Sequence, residues 1–135
     1  MPVSSKPLAE RRARILVVDD EASATRMLGK LLQKCGYDVA EENNSTRAHR
    51  LARKYRPDLI ILDIFMPFRT GKELAVLFET DNELCKVPII FITAHVMLVE
   101  HLAFFHRVFV KPFSVEDLLA HIESVVAGCG SKKSS

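Results

Sequence analysis

The chain alternates between short unbroken apolar runs and longer stretches in which apolar residues recur every few positions. The clearest run is LIIL at residues 59–62, which ends on Asp63 and is followed by a loop that contains Pro67 and closes at Gly71. A run of about four to eight apolar residues between turn signals is typical of a strand buried on both faces of a sheet. Further strands are predicted at residues 15–18, 37–42, 89–92 and 108–110, of which the one at 37–42 is the weakest and is placed near an edge.

The stretches between these runs carry the i, i+3, i+4, i+7 apolar spacing of amphipathic helices. Gly36 is placed to end the first helix, and Ser114 with Asp117 resembles a capping box at the start of the last one. Asp20 or Ser23 is expected to cap the first helix. The apolar stripes of the predicted helices lie within residues 24–35, 48–55, 74–78 and 115–126.

Strands that alternate with helices through short connections predict a parallel sheet with helices on both faces and right-handed crossovers. A length of 135 residues, with 48% hydrophobic and 27% charged residues, fits a single globular domain. No apolar stretch approaches the length that spans a bilayer, and residues 1–13 lack the apolar core of a secretory signal. A cytoplasmic protein is therefore expected.

The net charge of +2 is unevenly distributed, because the excess of basic residues lies at the two ends of the chain. These ends are interpreted as solubilising rather than nucleic-acid-binding, since no aromatic residue is interleaved with their charges. The three cysteines have no metal-site spacing and are interpreted as free thiols. The predicted organisation is a disordered tail at residues 1–13, one domain at 14–127, and a flexible tail at 128–135 into which Gly128 and Gly130 release the chain.

Polar residues follow all but one of the predicted strands: Asp19 and Asp20, then Asp63, Thr93 and Lys111. Because the carboxyl ends of parallel strands lie at one edge of a sheet, where open α/β folds bind ligands, these side chains are expected to form one site. Adjacent carboxylates repel each other and call for a cation, and a compact set of oxygen ligands suits Mg²⁺. A carboxylate can also accept a phosphoryl group, whose charge a metal ion and an ammonium group would neutralise.

Four motifs mark these strand ends: VVDDE at residues 17–21, LDIFMPFRTG at 62–71, FITA at 91–94 and VKPF at 110–113. In this order and spacing they resemble a response-regulator receiver domain of the chemotaxis-regulator type, over residues 14–127. The resemblance implies an α/β, flavodoxin-like fold, a doubly wound (βα)5 arrangement whose five parallel strands have the order 2-1-3-4-5. It also implies two-component signalling rather than an enzyme, apart from the Mg-dependent phosphorylation and dephosphorylation of the chain itself.

By this resemblance, Asp63 is the phosphoacceptor and takes the phosphoryl group from the histidine of a sensor kinase or phosphotransfer protein. Asp19, Asp20 and Asp63, with the backbone carbonyl of Phe65, form the Mg²⁺ site. Phe65 is bulky where the family often has a smaller or polar residue. It is therefore predicted to shield the phosphoaspartate and to slow its hydrolysis.

The resemblance also assigns Lys111 to the phosphoryl oxygens, and Thr93 to a hydrogen bond with them after a movement. The Lys111–Pro112 peptide bond is expected to be cis, as in the family. The family's switch aromatic lies three residues before the lysine, and this chain has Val108 there. Phe109 follows it, and strand alternation places the two side chains on opposite faces.

The interval between Thr93 and Lys111 is short for the family, so the fourth helix predicted at residues 97–106 is expected to be short or irregular. Its sequence, MLVEHLAFFH, is apolar nearly all round. Such a helix either offers a docking or dimer surface or packs within the domain, and both interpretations stay open.

The leading hypothesis is a phosphorylation-controlled switch whose output runs through the fourth helix, the fifth strand and the fifth helix to a protein partner or a second copy. With no output domain after residue 127, the protein is expected to dock a partner or to be part of a longer protein, without direct DNA or membrane contact. The alternative is a receiver-like interaction module that works without phosphorylation. A Mg-dependent phosphohydrolase is disfavoured because the D-x-D motif is absent, and an FMN carrier because the first loop is acidic.

Overall fold

The structure, a computed structural model, describes residues 11–94 and 107–134, with side chains up to residue 127. Within these residues, five parallel strands form one sheet in the order β2-β1-β3-β4-β5, which confirms the predicted fold class and strand order. The strands are β1 (Arg14–Val18), β2 (Asp38–Glu42), β3 (Leu59–Asp63), β4 (Ile89–Thr93) and β5 (Arg107–Val110). The helices are α1 (Ala22–Lys34), α2 (Ser45–Tyr55), α3 (Gly71–Glu79) and α4 (Val115–Ser134).

Alternating side chains of the central strands fill two separate cores, one on each face of the sheet. Leu16 and Ile60 point to the core beneath α2 and α3, whereas Ile15 and Ile61 point to the core beneath α1 and α4. Every residue of β1, β3 and β4 is buried, as the unbroken apolar runs predict. β2 lies at an edge of the sheet, and none of its residues is fully buried.

Val108 and Phe109 of β5 lie on opposite faces of the sheet, which confirms their predicted placement. Val108 packs against the core beneath α2 and α3, whereas Phe109 is buried in the core beneath α1 and α4. The Phe109 ring lies 5.9 Å from the ring of Phe113, edge-on, and 5.0 Å from the guanidinium of Arg107. The aromatic side chain of this strand is therefore held in the layer away from α2 and α3.

The two ends of α1 test the local predictions. Gly36 has a φ of 95°, the left-handed conformation that ends helices, which confirms its predicted role. The predicted cap by Asp20 or Ser23 is wrong, because the N-cap is Glu21 and it makes no side-chain cap bond. Ser23 already lies inside the first turn, where its hydroxyl donates to the Glu21 carboxylate at 3.1 Å.

The last helix is longer than its glycines predict. α4 continues through Gly128 and Gly130 to Ser134, so these residues do not end it. Glycine weakens a helix but stops it only where the backbone turns left-handed. None of the helices in the described part of the chain is long and apolar enough to cross a bilayer. The helix predicted at residues 97–106 lies outside the described residues, and the predicted division into tails and domain stays a prediction.

Candidate acidic site at the carboxyl edge

Three carboxylates meet where β1 and β3 end. Asp19, Asp20 and Asp63 each place an oxygen within 4.8 Å of the others. Asp19 and Asp63 are buried, with 4% and 8% of their surfaces exposed, whereas Asp20 faces solvent. β1 and β3 are hydrogen-bonded neighbours, so their carboxyl ends must lie side by side. The structure thus assembles the acidic cluster that the sequence predicts.

The backbone around Asp19 is fixed by the last residue of β2 and by the residue that follows it. The Asp19 amide donates to the carbonyl of Glu42 at 3.2 Å, and the side-chain amide of Asn43 donates to the Asp19 carbonyl at 2.8 Å. The same Asn43 nitrogen also donates to the hydroxyl of Thr25 on α1 at 2.8 Å. One side chain therefore ties the backbone at the end of β1 to the first turn of α1.

Lys111 enters the site from the end of β5. Its ammonium nitrogen lies 3.2 Å from a carboxylate oxygen of Asp19, and the Lys111–Pro112 peptide bond is cis, as the resemblance predicts. Burial alone would lower the pKa of Lys111, but attraction by Asp19 and Asp63 outweighs it, and the pKa is raised. Lys111 therefore stays a cation, and in this structure it pairs directly with Asp19.

One lysine does not neutralise three carboxylates. Burial, reinforced by the charge of Asp19, raises the pKa of Asp63 to about 7, although Lys111 acts in the opposite direction. Burial and Asp19 also raise the pKa of Asp20. Each shift shows that burial and repulsion disfavour the ionised carboxylate in the folded protein. The electrostatics of the site therefore favour a bound cation.

The remaining predicted site residues lie around this cluster. Thr93 ends β4 and is fully buried, and its carbonyl accepts from the Lys111 amide at 2.7 Å. Phe65 lies in the β3–α3 loop with 45% of its surface exposed. The coordination by the Phe65 carbonyl and the phosphoryl contacts of Thr93 and Lys111 stay predictions.

Gly71 closes the loop that follows Asp63, which confirms its predicted place in the sequence. Its amide donates to the Ile64 carbonyl at 2.8 Å, which closes the loop that follows Asp63. A Cβ at position 71 would clash with the backbone carbonyl of Asp63. Only glycine lets the start of α3 lie against the end of β3 in this way. The glycine is a turn signal in the sequence, and the structure adds the close approach of the two backbones.

Comparison with known proteins gives the same family throughout. The family model described as response regulator receiver domain matches residues 15–123. Among solved structures, the chemotaxis protein CheY4 of Vibrio cholerae is 32% identical with a TM-score of 0.75, over 84% of this chain and 98% of that one. The receiver domain of sensor histidine kinase PA1611 from Pseudomonas aeruginosa PAO1, with a magnesium ion coordinated in its active site cleft, shares the fold at 23% identity and a TM-score of 0.78 over 86% of this chain and 98% of that one.

Two curated relatives extend this comparison. The phosphate regulon transcriptional regulatory protein PhoB of Pseudomonas aeruginosa is 34% identical over 122 residues, which are 86% of this chain and 52% of PhoB. The polar-differentiation response regulator DivK of Brucella anthropi is 34% identical over 83 residues, 62% of this chain and 68% of DivK. The chain spans about half the length of PhoB and of the other regulators that it matches first. With its fold, its acidic cluster and a family match over most of its length, the chain belongs to the response regulator receiver domains.

Proposed function

We propose that this receiver domain is a phosphorylation-controlled switch that accepts a phosphoryl group on Asp63 from a phosphohistidine of a sensor kinase or phosphotransfer protein. The observation that carries the proposal is a buried carboxylate, Asp63, at the open edge of the sheet, with two further carboxylates and one ammonium group beside it. A signalling switch rather than an enzyme fits the family. The cytoplasmic location expected from the sequence belongs to the same proposal.

The donor set of the site fits a magnesium ion. Three carboxylate oxygens lie close together, two of them on buried residues, and hard oxygen ligands of this kind are those that Mg²⁺ prefers. Asp19, Asp20 and Asp63 would hold the ion, together with the Phe65 carbonyl. When bound, the ion supplies positive charge against the carboxylates and the incoming phosphoryl oxygens.

Asp63, Lys111 and Thr93 have different roles in the phosphoryl transfer. An Asp63 carboxylate oxygen forms the new bond to phosphorus while the bond from phosphorus to the donor histidine nitrogen breaks, and the electron pair of that bond returns to the imidazole. Lys111 carries a positive charge to the phosphoryl oxygens, and Thr93 would donate its hydroxyl to one of them. Phe65 restricts the approach of water, so the acyl phosphate persists long enough to be read.

The output is proposed to run through protein contacts of residues 97–106, β5 and α4, with a downstream partner or a second copy. Phosphorylation adds negative charge at Asp63 and would bias a two-state arrangement of these elements. Val108 stands where the family has its switch aromatic, and Phe109 is held on the other face of the sheet. The movement of Thr93 must therefore be read by something other than an aromatic rotamer at position 108.

The test of the proposal is phosphoryl uptake by the isolated chain. Wild-type protein is incubated with Mg²⁺ and acetyl phosphate, and in parallel with beryllofluoride, beside Asp63→Asn and the control Asp38→Asn. Asp38 is exposed on β2, away from the acidic cluster, so its variant should behave as wild type. Acid-labile phosphate on wild type and Asp38→Asn but not on Asp63→Asn supports the switch. No uptake by wild type would favour the interaction module that works without phosphorylation.

The shielding by Phe65 has its own test. Phe65→Asn should shorten the lifetime of the phosphorylated form, because the substitution removes the bulky side chain that is predicted to shield the acceptor. The lifetime is followed as loss of acid-labile phosphate after the donor is removed. A lifetime in Phe65→Asn that equals or exceeds that of wild type would contradict the shielding.

A further inference from the structure

A buried serine of α2 holds the loop that follows the phosphoacceptor strand. Ser45, the first residue of α2, has only 2% of its surface exposed. Its hydroxyl donates to the Pro67 carbonyl at 2.8 Å and accepts from the Arg69 amide at 3.1 Å. Both partners belong to the β3–α3 loop. The hydroxyl therefore uses its donor and its acceptor on backbone groups that flank a single residue, Phe68.

The segment that Ser45 contacts, residues 67–69, has a backbone conformation that is unfavourable by itself. Phe68 has a φ of 69°, and the Arg69 amide donates across it to the Pro67 carbonyl at 2.8 Å. This is a γ-turn of the rare, strained form with positive φ. Residues held in such a conformation cost on the order of 1–3 kcal/mol and persist only where surrounding contacts impose it.

Packing of Phe68 itself does not impose this turn, because 88% of its surface is exposed. The Ser45 hydroxyl is buried and contacts both sides of the turn, so it is the contact that can impose it. The bond from the Gly71 amide to the Ile64 carbonyl closes the base of the loop. The loop is thus held at its base by Gly71 and across the strained segment by Ser45.

The gripped segment begins four residues after Asp63 and two after Phe65. The backbone of Asp63 is fixed on one side by β4, since the Ile64 amide donates to the Ile92 carbonyl at 3.0 Å. Towards the loop, the Gly71 amide holds the Ile64 carbonyl at 2.8 Å. The Ser45 contact adds an anchor farther along the loop, and it comes from a helix that contributes no residue to the acidic cluster.

We propose that Ser45 is a positioning residue of the phosphoacceptor loop, whose hydroxyl holds residues 67–69 so that Asp63 and Phe65 keep the geometry that binds Mg²⁺ and the phosphoryl group. The proposal rests on the proposed function and extends it to α2. Ser45 does not touch the reacting atoms. Its effect passes through the backbone between Pro67 and Asp63.

The test compares Ser45→Ala with a matched control, Thr46→Ala. Thr46 is the next residue of α2, and its hydroxyl donates only to the Asn44 side chain of the same cap, at 2.6 Å. Circular dichroism first establishes that both variants are folded. The NMR signal and hydrogen exchange of the Arg69 amide then report whether the contact is lost. The affinities for Mg²⁺ alone and for beryllofluoride with Mg²⁺ report whether the site is disturbed.

Ser45→Ala should speed hydrogen exchange of the Arg69 amide. It should also lower the affinities for Mg²⁺ and for beryllofluoride by about fivefold, because one net hydrogen bond corresponds to a change of that size in an equilibrium constant. Thr46→Ala should stay within about twofold of wild type. Unchanged affinities in Ser45→Ala despite faster exchange of the Arg69 amide would overturn the proposal, as would an equal loss in Thr46→Ala. If wild type takes up neither phosphate nor beryllofluoride, the proposed function fails, and the Mg²⁺ affinities alone decide whether Ser45 positions the carboxylates.

Discussion

The two ends of β3 carry an aspartate each, and the two are treated in opposite ways. Asp58 lies just before the strand, where Arg11 donates to both of its oxygens at 2.7 and 2.9 Å and the Arg14 amide adds a bond of 2.7 Å. Burial alone would raise the pKa of Asp58. The bonds from Arg11 and Arg14 outweigh burial, and the pKa is held below its usual value.

Asp63, at the other end, is buried without such compensation, and its pKa is raised to about 7. Its nearest charged neighbours include Asp19 and Asp20, which repel it, beside Lys111, which is already paired with Asp19. The difference teaches where this fold is built for stability and where for binding. Asp58 is paired within the chain and contributes to stability. Asp63 is not compensated in this way, and its environment favours a bound cation.

The largest change in stability is expected at Asp58, whose charge is paired within the chain. Asp58→Ala should destabilise the protein by about 3 kcal/mol, because it leaves the half-buried Arg11 guanidinium without its bidentate partner. Urea unfolding near neutral pH measures the change. The exposed Asp38→Ala should cost less than about 0.5 kcal/mol. Equal midpoints for the two variants would show that the Arg11 pair contributes no stability.

The second prediction concerns a substitution that would displace the backbone of Asp63. Gly71→Ala should destabilise by about 2 kcal/mol and weaken Mg²⁺ binding, because the new Cβ pushes on the Asp63 carbonyl. Gly29→Ala is the control, since a Cβ there meets the Glu41 carboxylate at 2.7 Å, the end of a flexible side chain that can move away. Thermal unfolding and calorimetric Mg²⁺ titration are the measurements. A larger loss of Mg²⁺ affinity in Gly29→Ala would contradict this account.

Substitution of Asp63 should raise the stability of the protein, whereas substitution of Asp58 should lower it. Asp63→Asn should stabilise the metal-free protein by about 1 kcal/mol near pH 8, because it removes a buried charge that Asp19 repels. The folded-state pKa of Asp63 lies above the unfolded value, so ionisation favours the unfolded chain. Wild type should therefore lose stability relative to Asp63→Asn as the pH rises from about 4 to about 7.

The measurement is urea unfolding of both proteins in a chelator across that pH range. The contribution of Asp58 to stability changes with pH in the opposite direction, because its pKa is lowered by folding. That contribution is present above the unfolded pKa and is lost as the pH falls through the folded pKa. A difference between wild type and Asp63→Asn that does not change with pH would show that Asp63 is not titrating in this range.

The smallest effect is expected in the loop beyond Asp63. Phe68→Asn should stabilise by roughly 0.5–1 kcal/mol, because asparagine adopts a positive φ more readily than phenylalanine and little packing is lost at an exposed position. Phe65→Asn in the same loop should show no such gain, since Phe65 is not among the residues with positive φ in the described chain. Chemical denaturation of the two variants decides between them.

Much of this architecture could be predicted from the sequence, because the apolar runs and the residues that follow them are local signals. Leu59 to Asp63 reads as a buried strand with a carboxylate at its end, and the alternation of elements brings Asp19 to the same edge. What escaped prediction depends on contacts between distant residues. A serine at a helix start is interpreted as a cap, and nothing local shows that the Ser45 hydroxyl serves a loop more than twenty residues away.

The same limit applies to the aspartates of β3. The sequence marks Asp63 as a site residue by its place at the end of the strand, but only the fold shows that Arg11 reaches Asp58 while Asp19 crowds Asp63. The end of α4 was missed for a different reason. Glycine is a weak local signal, and at Gly128 and Gly130 the helical backbone simply continues.

The edge position of β2 has a consequence for how the molecule behaves among its own copies. An open strand edge is a template for pairing with another chain, and natural proteins protect such edges with charge. Asp38, Glu41 and Glu42 supply it here, because three of the five residues of β2 are acids. Two copies that approached through this strand would bring these carboxylates together. The exposed edge of β2 is thereby protected against the sheet-to-sheet growth that leads to aggregates.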